Sequence, residues 1–364
     1  MMNTLGRAVT LTLFGESHGE QIGCVLDGLS AGIFVREETV ARALALRRPA
    51  GSISTARREE DEFSIVSGVY RGYTTGAPLT VLIPNKDTRS SDYDSIPLRP
   101  GHADLTALMK YKGFSDPRGG GHFSARLTAP IVAAGAIVRE ALEKKGIVIG
   151  THLSSVGKVC DRGFENLEED LAFLADKAFP VLDGSAAEKM EAEILAARED
   201  CDSVGGVLET AVTGLPAGLG GGTFRSVESV LSHALFSVPA VKGVEYGGGF
   251  GLSAMRGSEA NDAIGLDERG EYYLKTNRCG GILGGITCGA PLLFRCAMKP
   301  TPTIAKPQET VLASEGREVI HSFHGRHDPC VAHRAAAVVN AVTALVLADL
   351  LAQHYGEDWL GEEK

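Results

Sequence analysis

Gly15-Glu16-Ser17-His18-Gly19 fits two incompatible folds, and the choice between them governs how the rest of the chain is read. Its G-x-S-x-G spacing is that of the nucleophile elbow of an α/β-hydrolase, where a serine stands on a sharp strand-to-helix turn. Arg7 to Phe14 ahead of it alternates apolar and polar residues as a strand does. Behind it, Ile22-Gly23-Cys24-Val25-Leu26-Asp27-Gly28 is β-like and broken by glycine, where an elbow needs a helix. The serine also stands at position 17, ahead of the strands that normally precede an elbow. The hydrolase is therefore rejected. What remains is a carboxylate, a hydroxyl and an imidazole between glycines, at a strand end where backbone can approach a ligand closely. The competing reading is a polar turn with a capping serine and a solvated histidine.

The chain of 364 residues is long enough for one large or two ordinary domains. Its 44% hydrophobic and 23% charged residues are those of a globular protein. A net charge of −10 argues against a general nucleic-acid binder, which needs basic surface for phosphates. The arginines are nevertheless grouped, Arg47, Arg48, Arg57 and Arg58 together and Arg99, Arg118 and Arg126 further on, which suits a small anion. The seven cysteines form no C-x-x-C pair and no zinc spacing, so reduced thiols and a cytoplasmic location are expected. No signal peptide is visible, and no apolar run comes near the ~18 residues of a membrane span.

Helices are expected over Glu37 to Arg47, Ala129 to Lys144, Leu167 to Phe173, Ala186 to Asp200, Val227 to Phe236 and Val331 to Gln353. The last is Ala/Val/Leu-rich nearly all round and should be buried. Phe63 to Tyr70, Leu79 to Ile83 and Val204 to Val212 read as strands, and Asn85 to Gly101 as a loop. Two echoes stand about 190–210 positions apart, a period long enough to be a whole duplicated unit. Asp27-Gly28-Leu29-Ser30-Ala31-Gly32 matches Thr213-Gly214-Leu215-Pro216-Ala217-Gly218, and Ser124 to Ala129 matches Ala332 to Ala337. The echoes admit a duplication, with halves of about 1–200 and 201–364 in one domain spanning 1–364, or coincidence in alanine- and glycine-rich text.

Three further charged turns accompany His18. They are Arg99-Pro100-Gly101-His102-Ala103-Asp104, the run Gly119-Gly120-Gly121-His122-Phe123-Ser124-Ala125-Arg126, and Arg326-His327-Asp328-Pro329. A glycine run before a helix offers outward N–H groups to an anion or cofactor, or serves only tight packing. With Lys242-Gly243-Val244-Glu245, Gly280 to Gly285 and Lys299-Pro300-Thr301, these stretches occur in the order and near the spacing of one family. Over nearly its whole length the chain resembles the chorismate synthases.

The resemblance implies an α+β fold, a layered β-α-α-β sandwich with two antiparallel sheets around central helices and an internal pseudo-two-fold repeat, assembled as a homotetramer. It implies a lyase that removes phosphate and a ring proton from 5-enolpyruvylshikimate-3-phosphate by anti 1,4-elimination, giving chorismate. Reduced FMN is required without net redox change, with NADPH as a possible external reductant. The family match assigns Arg47, Arg99, Arg126 and Arg326 to the substrate, whose carboxylates and phosphate suit planar guanidinium forks. It assigns His18 to the leaving phosphate, His102 to the reduced flavin, and Asp328 with Ser17 to relay of the ring proton. An imidazole of ordinary pKa, ~6.5, serves either histidine role near neutrality. The flavin would lie along His122, Phe123, Ser124, Pro239, Ala240, Gly284, Lys299, Pro300, Thr301, Pro302, Thr303 and Arg326.

The chain departs from the family twice. His122-Phe123-Ser124 stands where many members have Arg-Ser-Ser, which removes a cation and a hydroxyl from the flavin pocket. The loop Arg47 to Ile53 is one residue short and lacks a second arginine near Ile53, so NADPH contacts carry over only at Arg47. Two other function classes compete. A metal-dependent phosphatase would use His18, His102 and His122, and their spacing is not that of a ligand set. A non-enzymatic anion-binding protein would use the histidines as pH sensors.

Overall fold

The structure, a computed structural model, describes residues 2–49, 51, 53–54, 60–86, 97–323 and 328–362. Two antiparallel sheets enclose two layers of helix. Among the described residues the first sheet runs Thr4–Gly6, Thr10–Gly15, Gln21–Asp27, Leu79–Pro84 and Ser64–Ser67 in spatial order. The second runs Val241–Tyr246, Leu292–Met298, Gly206–Thr213, Val148–Val156 and Val159–Cys160. Helix Thr128–Lys144 packs on the first sheet, Ala332–Tyr355 packs on the second, and the two helices pack on each other. Gly135 permits that approach, since a Cβ there would stand 2.4 Å from the Cβ of Ala341. The chain thus forms the expected layered α+β sandwich.

Two strands are shorter than their alternation suggests. The one read over Arg7 to Phe14 begins at Thr10, because Gly6 turns the chain at φ +93°. Asp349 Oδ1 accepts the next three N–H groups, from Arg7, Ala8 and Val9, at 2.9, 2.7 and 3.1 Å. The one read over Phe63 to Tyr70 breaks at Gly68, φ +84°, into Ser64–Ser67 and Val69–Tyr70. The C-terminal helix corrects the expectation that no apolar run comes near the length of a membrane span, since an 18-residue stretch of it has a mean hydropathy of 2.0. Of that stretch 89% is buried inside the protein, as expected of a helix apolar nearly all round.

The sequence echoes occupy matching turns. Gly28 and Gly214, at φ +75° and +74°, leave their strands against the carbonyls of Ala8 and Gly146. Gly32 N–H donates to Thr74 O at 2.9 Å, and Gly218 N–H to Thr287 O at 2.8 Å. The Thr74 hydroxyl donates to Ser30 O and the Thr287 hydroxyl to Pro216 O, both at 2.7 Å. Each hydroxyl also accepts an N–H, from Ile33 at 2.8 Å and from Leu219 at 2.9 Å. These paired turns lead into helices Glu37–Arg47 and Val227–Leu235.

A buried charge cluster ties the segment after Cys160 to the second sheet. His152 Nδ1 bonds Asp161 Oδ2 at 2.9 Å and Nε2 bonds Glu209 Oε2 at 3.0 Å. Carboxylates only accept, so both ring nitrogens carry protons. Burial alone would lower the His152 pKa, but the two carboxylates outweigh it and raise it. A raised folded-state pKa adds stability that is complete below the unfolded value of about 6.5 and is lost as pH rises through the folded value. His152→Ala is expected to cost roughly 3–5 kcal/mol at acidic pH, with a deficit that narrows in alkali. Urea unfolding of both proteins across the pH range checks this, and a deficit that grows with pH contradicts it.

Candidate active site

The site is built around a backbone path that only glycine takes easily. Gly119, Gly120 and Gly121 have φ of +59°, +84° and +52°. A Cβ on Gly119 would fall 2.6 Å from Ser17 Oγ and 2.8 Å from His18 Nε2. On Gly120 it would fall 3.0 Å from His102 Cε1 and 3.6 Å from Arg99 Nη2. One bare stretch of backbone therefore separates the Ser17-His18 turn from the Arg99-His102 loop, and touches both. Ser17 N–H donates to Gly121 O at 3.1 Å and locks the first side. Ser17 is fully buried, and its hydroxyl has no hydrogen-bond partner among the described residues.

His102 is oriented by a carboxylate that the sequence reading left in a loop. Asp104 opens helix Asp104–Tyr111, whose N-terminus favours an anion. Asp104 Oδ1 lies 2.9 Å from His102 Nδ1 and 2.7 Å from Arg99 Nη2, while Oδ2 accepts from Arg99 Nε at 2.8 Å. Burial would raise the Asp104 pKa, but the hydrogen bonds from Arg99 and His102 and the Arg99 charge hold it well below the usual carboxylate range. The permanent carboxylate keeps a proton on Nδ1 and leaves Nε2 as the working atom of the ring.

A second wall is basic. Arg47 and Arg126 are buried and share Asp61, whose Oδ2 accepts from Arg47 Nη1 at 2.9 Å and whose Oδ1 accepts from Arg126 Nη1. Arg126 Nε donates to Asn85 Oδ1 at 3.0 Å. Asn85 Nδ2 donates in turn to the carbonyls of Glu16 and Gly19 at 3.0 and 2.8 Å, clamping the Ser17-His18 turn. Arg334 bridges onward, from Nε to Arg47 O at 2.9 Å and from Nη1 to Asp328 Oδ2 at 2.6 Å. Arg99 pairs with Asp104 beside His102, as given. Arg326 lies outside the described residues.

A third wall is the turn after strand Leu292–Met298. Lys299 Nζ donates to Gly101 O, and a Cβ on Gly101 would meet Pro302 Cβ at 3.1 Å, so Lys299 to Pro302 lies on the His102 loop. Lys299 N–H donates to Ala240 O at 2.9 Å, which brings Pro239-Ala240 alongside, and Ala240 takes φ +73°. Thr301 Oγ1 is buried with no hydrogen-bond partner among the described residues. Ser203 and Val204 join this turn to the Asp328 loop, through Ser203 Oγ to Thr301 O at 2.7 Å and Val204 N–H to Pro329 O at 2.8 Å. Partial burial and the nearby Lys242 lower the Lys299 pKa, as expected for a partly buried ammonium beside another.

His122 and Phe123 pack with ring centroids 4.1 Å apart and planes tilted by 34°, and Tyr111 meets the His122 ring edge-on. Ser124 accepts the Arg126 N–H at 3.3 Å and caps the short turn before helix Thr128–Lys144. Gly284 stands apart. It lies in the hairpin just before the start of strand Leu292–Met298, whereas Lys299 follows that strand's end, and seven strand residues span about 20 Å. Sequence reasoning missed Asp61 and Asn85, and it named Asp104 and Arg334 only within motifs.

A helix-filled sandwich that gathers two imidazoles, four arginines and a lysine around a glycine run is the frame of an enzyme acting on a small anion. A sequence model described as chorismate synthase matches residues 9–352. The chorismate synthase of Pyrococcus abyssi (strain GE5 / Orsay) is 47% identical over 348 residues, covering 95% of this chain and 96% of that one. That of Porphyromonas gingivalis (strain ATCC BAA-308 / W83) is 45% identical over 351 residues, covering 96% and 95%. A crystal structure of a chorismate synthase superposes with a TM-score of 0.77 at 30% identity, covering 97% of this chain and 94% of that one. The chain belongs to the chorismate synthase family.

Proposed function

We propose that the cleft around Gly119 to Gly121 carries out the family reaction, with the residues of its three walls in separate roles. The enzyme is a lyase that forms chorismate from a small phosphorylated substrate, and the family works with a reduced flavin. The finer reading is anti 1,4-elimination of phosphate from 5-enolpyruvylshikimate-3-phosphate with FMN as the flavin. The observation that carries it is the placement of Ser17 and His18 on one side of the glycine run and of Arg99 and His102 on the other.

The residues fit a flavin mononucleotide as well as the substrate. Lys299 offers a cation and Thr301 an uncommitted buried hydroxyl, with Ala240 beside Lys299 and Pro302 on the His102 loop, and Pro239, Pro300 and Thr303 are read as completing the flavin site. His122, Phe123 and Ser124 give an aromatic face and a hydroxyl in place of the usual cation. Reduced FMN, when bound, supplies an electron-rich ring system against the substrate. Arg47, Arg99, Arg126 and Arg326 hold the substrate's oxyanions. His18 donates to the departing phosphate, whose charge must be neutralised before the C–O bond can break. His102 Nε2 holds a proton where negative charge must be stabilised. Ser17 Oγ and the Asp328 carboxylate pass the ring proton outward.

The chain is read as one domain of two duplicated halves, cytoplasmic, acting as a homotetramer and dependent on an external reductant such as NADPH. The test is anaerobic: photoreduced FMN and substrate are supplied, and phosphate and chorismate are assayed. Equal release of both is expected with reduced flavin and none with oxidised flavin. Phosphate release without flavin, or release abolished by chelator, would refute the reading.

A further inference from the structure

We propose that Asp61 is a positioning residue for this reaction, a single buried carboxylate that sets the spacing and orientation of Arg47 and Arg126. The inference rests on those two arginines holding the substrate's oxyanions. In sequence Asp61 belongs to the acidic run Glu59-Glu60-Asp61-Glu62, which has the look of a solvated face. In the fold its side chain is 1% exposed, and those of Arg47 and Arg126 are 8% and 3% exposed. The carboxylate is divided, with one oxygen on each guanidinium. A group bonded in that way fixes the distance between its two partners as well as their directions.

The backbone supports a role beyond filling space. Asp61 takes φ +49°, a left-handed conformation that non-glycine residues seldom adopt and that costs energy unless its surroundings enforce it. The far ends of the two guanidinium groups are fixed independently, Arg47 Nε on Thr128 Oγ1 at 2.8 Å and Arg126 Nε on Asn85 Oδ1 at 3.0 Å. Asp61 holds the facing ends. Asn85 clamps the Ser17-His18 turn through two bonds of its own, so the proposed phosphate-handling imidazole keeps its place when the arginine pair is disturbed. Without the carboxylate the facing ends repel in a region of low dielectric, and the pair splays.

The experiment compares the unsubstituted protein with Asp61→Asn, Arg126→Lys and the double variant. Steady-state kinetics are read with reduced FMN, and calorimetric binding of 5-enolpyruvylshikimate-3-phosphate is read without flavin. Asp61→Asn is expected to raise KM and weaken calorimetric affinity by about 10–100-fold while kcat changes less than about threefold. In the Arg126→Lys background the same change should add less than about twofold, because the two residues act as a unit. An affinity equal to the unsubstituted protein's, or a loss that multiplies in full with Arg126→Lys, overturns the proposal. If Asp61→Asn does not fold, Asp61→Glu keeps the charge and displaces it by one methylene. That variant should retain a near-normal melting temperature with a raised KM, and an unchanged KM overturns the proposal equally. Binding is read without turnover, so the Asp61 inference is decided even if the unsubstituted protein proves inactive as a lyase.

Discussion

His102→Ala is expected to lower kcat by about 10²–10⁴-fold, with affinity for the phosphorylated substrate changed less than about fivefold. The reason lies in how the ring is held. Its Nδ1 edge is committed to Asp104, 2.9 Å away, and Asp104 is itself pinned by two bonds from the Arg99 side chain. The Asp104 pKa is held so low that its charge persists across the working pH range. Such a ring cannot turn over to present its other nitrogen, so Nε2 faces the glycine run permanently. Removing it deletes a preorganised proton-bearing group and leaves the basic wall of Arg47 and Arg126 intact. Single-turnover measurements with prebound substrate separate the two quantities. A loss shared equally between kcat and affinity would place His102 in substrate binding instead. His102→Gln retains a donor but cannot titrate, and should recover little of the rate.

The legible parts of the fold are those where burial leaves a periodic trace. Helix Glu37–Arg47 matches its expected bounds because Val40, Leu44 and Arg47 point inward at helical spacing. The C-terminal helix is equally plain, being buried nearly all round. Helix Asp104–Tyr111 was missed although Leu105, Leu108 and Met109 stand at helical spacing, because it follows a polar, proline-broken loop; those side chains are 47%, 39% and 70% exposed, so the stripe packs on no core. Strand Val148–Val156 was missed for a different reason. Five successive residues from Ile149 to Leu153 are buried, so no in–out alternation marks it. The same logic divides the site. His18 and His102 stand out as imidazoles between glycines, and the family motifs point to them. Asp61 acquires its meaning from partners 14 and 65 positions away, and Asn85 from partners 69, 66 and 41 positions away. Such pairings leave no local pattern in a charged or polar loop.

Gly119→Ala is expected to reduce turnover by at least about 100-fold while lowering folding stability by only about 1–3 kcal/mol. Two costs combine at this position. The backbone sits at φ +59°, where a Cβ is strained whatever surrounds it. The new methyl also meets Ser17 Oγ and His18 Cδ2 at 2.6 Å and His18 Nε2 at 2.8 Å, well inside van der Waals contact. Ser17 is fully buried and anchored through its N–H to Gly121, so it cannot retreat. The His18 ring must therefore swing, or the glycine run must lift from it, and either motion uncouples the imidazole from its place opposite His102. Gly113→Ala separates strain from displacement: Gly113 has φ +82° with nothing within 4 Å of the added methyl. It should show the smaller fall in melting temperature that strain alone produces, with near-normal kcat. Equal activities in the two variants would mean that the contact of Gly119 with Ser17 and His18 does not position the reacting groups, and the catalytic reading of that turn would fail.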